Sequence, residues 1–139
     1  MPFHEKIAWA ALLTIIGGFG AYFSSLIYAA STDTVSLDYF IGLLIVVVVG
    51  VVVVMIIATS AIAIMAREDA HANRDERDQM VSNRATSIAY FILLIGVIIA
   101  VFSVHLGAGL FWILNAILAV IVVSEAIRYG AKIWQYRQG

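Results

Sequence analysis

From residue 45 the chain reads IVVVVGVVVV and continues to residue 65 as MIIATSAIAIM, with no charged side chain anywhere in the run. A β-branched run of about four to eight residues could be a buried strand, but a longer one reads as a helix. Hydrocarbon enforces the same choice, because only a helix or a closed barrel satisfies the backbone where there is no water. The segment around this run, Tyr39 to Ala66, exceeds the roughly 20 apolar residues that a spanning helix needs. Three further segments meet the same requirement: Ile7–Ala30, Ala85–Val104 and Gly109–Ile127.

The whole composition follows from those four segments. Hydrophobic residues make up 63% and charged ones 12% of the 139 residues, against roughly 45–50% and 25% in soluble domains. Mean hydropathy is +1.02. The expectation is an all-α integral membrane protein forming a single four-helix transmembrane domain over residues 1–139, with the lipid bilayer as its solvent. A net charge of −1 supplies no basic surface for direct nucleic-acid binding. With no cysteine, disulfides, thiolate metal sites and cysteine nucleophiles are excluded. The first apolar segment is longer than a signal peptide's apolar region and has no clearly placed cleavage site, so it is read as a span.

Orientation comes from the cations. Lys6 precedes the first span; Arg67, Arg74, Arg77 and Arg84 lie between the second and third; Arg128, Lys132 and Arg137 follow the fourth. All fall on one side, whereas the opposite connections, STDTVSLD and HLGAG, carry only Asp33, Asp38 and His105. The positive-inside rule then puts both termini and the charged loop 67–84 in the cytoplasm. Trp9 and Trp134 suit that interface, and Tyr28, Tyr39 and Trp112 the other. HLGAG predicts a tight hairpin, with Gly107 and Gly109 free to take positive φ, and an up-down-up-down bundle is the simplest arrangement. Small residues in the first two spans (Gly17, Gly18, Gly20, Ala21; Ala58, Ser60, Ala61, Ala63) allow close helix approach.

The stretch NRDERDQMVSNR, residues 73–84, concentrates charge between the second and third spans. Asn73 with Glu76 three residues on resembles a capping box that would start a helix running into the third span. Asp75, Glu76 and Asp78 suit the positive end of its dipole, and Arg74 and Asp78 stand at ion-pair spacing. One reading is a solvated helix start; the sharper one is a recognition surface. His4 and Glu5 could approach His71, Asp75 and Glu76 as oxygen and nitrogen ligands. No metal motif has the required spacing, however, and no metal or other cofactor is expected. Within the spans, Glu125 stands one turn before Arg128 and can pair with it. Asn115 lies about 16 Å deeper, the place of an interhelical hydrogen-bonding residue. No GxSxG, phosphate loop or dinucleotide fingerprint is present, so no enzyme is expected.

Three patches carry a resemblance: FHEKIAW at the amino end, RDERDQMVSNRA before the third span, and SEAIRYGAKIWQYRQG at the carboxyl end. They resemble the landmarks of a family of small bacterial four-span inner-membrane proteins whose biochemistry is unassigned. The matching residues are Phe3, His4, Glu5 and Lys6, then Asp75, Glu76, Arg77, Asp78, Arg84 and Ala85, and finally Glu125, Tyr129, Tyr136 and Arg137. Gln138 departs from the family's second arginine, which weakens a basic tail. Members are often encoded beside small helix-turn-helix regulators, so the resemblance implies a regulatory protein partner in the bacterial cytoplasm.

Two functional expectations follow. The first is a non-enzymatic accessory subunit or membrane-anchored regulator. It would bind a cytoplasmic regulatory protein or a larger membrane complex through His4, Glu5, Asp75, Glu76, Arg77, Asp78 and Arg84. The alternative is a small transporter or channel, acting as a homo-oligomer and using Glu125 and Asn115, with Arg128 the third polar residue singled out in the fourth span.

Overall fold

The computed structural model describes residues 3–65 and 76–138, the side chains of Phe3 and Arg77 excepted. The described residues are all helical apart from the turns: α1 Phe3–Ser31, α2 Leu37–Met65, α3 Glu76–Phe102, a short 3-10 turn Ser103–Leu106, and α4 Leu110–Gln138. All four helices are long and apolar enough to cross a membrane, the pattern of a multi-pass membrane protein. Isoleucine, leucine, valine and phenylalanine side chains stand exposed along all of them. The extreme is α2, where Phe40 alone is buried. Exposed apolar surface on this scale suits apolar surroundings better than water.

The helices form two compact units, α1 with α2 and α3 with α4. In the first hairpin the reversal after Ser31 is closed by the Thr32 N–H donating to the Tyr28 carbonyl at 3.1 Å and the Thr34 N–H to Ala29 at 2.9 Å. Asp33 takes φ 54° there, a left-handed conformation that aspartate tolerates better than most residues. The buried positions of α1, among them Ala8, Ala11, Tyr22, Leu26 and Ala29, taken with the half-buried Gly18, recur every three, four or seven residues, the spacing of a helix–helix seam. Gly18 belongs to this series: a Cβ added there would lie 2.6 Å from Val51 Cγ2. Nearer the turn, Tyr22 meets Phe40 edge to face at 6.0 Å.

The second hairpin has a seam of smaller residues. Ala85, Ala89 and Ala100 are buried along α3, and between them Gly96 is in such close contact with Val120 of α4 that any side chain would overlap it. Gly107, at φ 81°, ends the 3-10 turn and donates its N–H back to Val104 at 3.0 Å. Gly109 does not take positive φ; its carbonyl instead accepts the Trp112 and Ile113 N–H groups and opens α4. The positive φ expected of both glycines is thus needed at one.

Two helices run past the apolar spans. The third is already helical at Glu76, ahead of the span read from Ala85, in keeping with a helix that starts in the charged stretch and runs into that span; the fourth runs past Ile127 to Gln138. Hydropathy locates the apolar stretch, while a helix ends where its hydrogen bonds lose support. Here the polar ends keep their support because Val81, Ala85 and Ile133 stay buried between them. At 29 residues, α4 is about 43 Å long against a hydrocarbon thickness of about 30 Å.

Candidate functional site

The polar ends of α3 and α4 face each other across the second hairpin. The acidic first turn of α3, Glu76 and Asp78, suits its positive dipole end, and Glu76 is exposed. Asp78 also accepts a hydrogen bond from the Tyr136 hydroxyl at 2.8 Å, which joins residues 58 apart in sequence. Asn73, Arg74 and Asp75, and with them the cap and the Arg74–Asp78 pair, lie outside the described residues. Arg84 is exposed and has no ion-pair or hydrogen-bond partner among the described residues.

About two to four turns before the end of α4, four side chains gather. Arg128 pairs with Glu125 at 2.8 Å, both partly exposed, and donates to the Tyr129 hydroxyl at 3.0 Å. Its guanidinium carbon is 4.9 Å from the centre of the Tyr129 ring, and the Lys132 ammonium is 5.7 Å from the same centre. Two cations therefore share one aromatic ring, an attraction that also restricts their rotamers. The Glu125–Arg128 pairing expected from one-turn spacing is present.

Asn115 is buried and donates from Nδ2 to the Phe111 carbonyl of its own helix at 2.9 Å. Ser124, also buried, donates to Ile121 at 3.0 Å. Asn115 and Glu125 are not brought together. At the amino end, in the first hairpin, Glu5 is only 4% exposed and His4 is half-buried, while Lys6 is accessible. Among the described residues no three histidine, aspartate or glutamate side chains come close enough to hold a metal; His71 and Asp75, the other ligands considered, lie outside them.

Three features escaped the sequence reading. The Asp78–Tyr136 bond depends on helix register, which no local pattern encodes. Tyr129 as a joint support for Arg128 and Lys132 was within reach, since i, i+1 and i+4 positions can converge at a helix surface. The third is an open cleft of about 560 Å³ at the turn end of the first hairpin, lined by Ser24, Ser25, Tyr28, Ala29, Thr34 and Tyr39. Its Ser25 and Thr34 hydroxyls already donate to backbone carbonyls.

Compared with known proteins, the chain matches no protein-family profile, no curated protein and no solved structure.

Proposed function

We propose that this protein is a non-enzymatic accessory subunit or membrane-anchored regulator of the bacterial inner membrane. Its four spans run up-down-up-down, and both termini and the segment 67–84 are cytoplasmic. The docking face comprises the start of α3 and the end of α4, and it takes a cytoplasmic regulatory protein. The observation that carries this reading is the Asp78–Tyr136 hydrogen bond. It ties two polar helix ends that extend beyond the length a bilayer requires, giving a held surface where loose tails would otherwise fray. Exposed Glu76 and Arg84 lie on those ends, ready for charge-complementary recognition.

Of the residues that motivated a transport reading, Glu125 pairs with Arg128 on its own helix, and Asn115 donates to the Phe111 carbonyl. The test is purification in mild detergent from the native host. Changing Asp75, Glu76 and Asp78 together to alanine should leave membrane insertion intact and remove the co-purifying regulator. Tyr136→Phe, which deletes the helix-to-helix bond and no charge, should weaken recovery. Full recovery of the partner with the triple variant would overturn the proposal.

A further inference from the structure

The register of the second hairpin sets three cations within about one helical turn of the same height. Gly96 stands opposite Val120, and Asp78 opposite Tyr136; interpolating between these contacts puts Arg84 of α3 level with residues 130–132 of α4, the height of Lys132 and about one turn from Arg128. That level has a definite relation to a bilayer. From Leu110 to Arg128 and Lys132 the helix rises about 27 and 33 Å, which brackets the hydrocarbon thickness of about 30 Å. With the Gly107 turn at one surface, the three cations reach the phosphate layer of the opposite leaflet. Trp134, 65% exposed, follows in the position of an interfacial aromatic.

We infer that Arg84, Arg128 and Lys132 form a seat for the phosphodiester of an anionic phospholipid of the phosphatidylglycerol type. The chemistry is complementary on each side. Arg84 presents an exposed planar fork of donors, which suits phosphate oxygens. Arg128 and Lys132 are already ordered around Tyr129, so little side-chain entropy is lost when an oxyanion arrives. Glu125 fixes Arg128 from the side nearer the apolar core, leaving the headgroup side to the lipid. An anionic leaflet attracts such a cluster in proportion to its cations. A zwitterionic headgroup brings its own ammonium and is attracted less.

This inference rests on the reading that α3 and α4 cross the bilayer, and the experiment separates the two. A chain keeping Trp134 as its one tryptophan, through Trp9→Phe and Trp112→Phe, is reconstituted in phosphatidylcholine bilayers. Quenching of Trp134 by brominated phosphatidylglycerol is then compared with quenching by brominated phosphatidylcholine. The expected result is preferential quenching by the anionic lipid, reduced up to about fivefold by each of Arg84→Gln and Lys132→Gln and unchanged by Lys6→Gln, a cation of the first hairpin. Equal quenching by the two lipids, or a preference that survives Arg84→Gln with Lys132→Gln, would overturn the seat. Loss of the preference on adding soluble glycerol phosphate would also overturn it, by assigning the site to a free anion. A chain that fails to enter bilayers of either composition, read independently by flotation, overturns the spanning reading itself.

Discussion

Replacing Gly96 with alanine puts a methyl group where Val120 already stands. The added carbon would collide with both γ-methyls of Val120 and come within 3.2 Å of its Cβ. Valine cannot turn aside easily, because in a helix nearly all of its χ1 population sits in one rotamer; the strain must pass to the α3–α4 spacing. Overpacking of this kind costs about 1–3 kcal/mol, while alanine gains up to about 1 kcal/mol over glycine in helix propensity. The propensity gain is isolated by Gly50→Ala, since a Cβ at Gly50 meets open space. The difference between the two substitutions should therefore be the clash alone, about 1–3 kcal/mol. The assay is reversible unfolding in mixed detergent micelles of rising denaturing-detergent fraction, followed by far-ultraviolet circular dichroism. In the double variant Gly96→Ala with Val120→Ala the clash should vanish, so that the two changes together cost less than their sum. If Gly96→Ala and Gly50→Ala shifted stability alike, to within about 0.5 kcal/mol, the close approach of α3 and α4 at this level would be refuted.

Gly18→Ala should fall between those two, because its added carbon meets one methyl of Val51 at 2.6 Å and Val47 only at 3.7 Å; the same detergent titration ranks it. Tyr136→Phe should cost about 1.5 kcal/mol, the lower end for a hydrogen bond to a charged group, and should speed hydrogen exchange at the start of α3 and the end of α4 with no change in the middle of the hairpin. Asp78→Asn keeps an acceptor for the tyrosine hydroxyl and should retain most of that protection. Glu125→Gln should cost less than about 1 kcal/mol, as partly exposed ion pairs do, with Arg128 extending to the headgroups through its apolar stem.

Much of the fold was legible because lipid makes one demand that a sequence cannot disguise. The valine run beginning at Ile45 has to be a helix, and the eight cations had to be gathered between and beyond the spans, so helix number and order could be read directly. The ends of the helices were less legible. The helix start in residues 76–84 could be read from its acidic first turn, but what holds that turn could not: Val81, Ala85 and Ile133 are all buried there, and burial of this kind is set by the packing of two helices. The small-residue seam of α1 was partly visible in its glycine cluster, whereas Gly96 stands alone among large aliphatic residues and gives no local sign of close packing. The site divides the same way: Glu125 and Arg128 are neighbours on one helix and could be paired by counting turns, but Asp78 and Tyr136 meet only once the register of two helices is fixed.

That register also explains why the polar ends hold together at all. Polar helix ends are the parts of such helices that suit water, where short isolated helices are marginal. Their apolar contacts are few: Val81, Ala85 and Ile133 are the buried residues of that level. Each remaining turn beyond them would fray unless something joined the ends, and the Tyr136 hydroxyl on Asp78 joins them near the last residues of α4. The bond stabilises helix in both strands at once, because unwinding either end breaks it. On the proposed docking face a partner would meet Glu76 and Asp78 already set on a helical surface, so that the ordering entropy a loose loop would lose on binding is largely absent. If Tyr136→Phe loosened both ends in hydrogen exchange yet left partner affinity unchanged, the ends would be binding as flexible segments, and preorganisation would play no part in recognition.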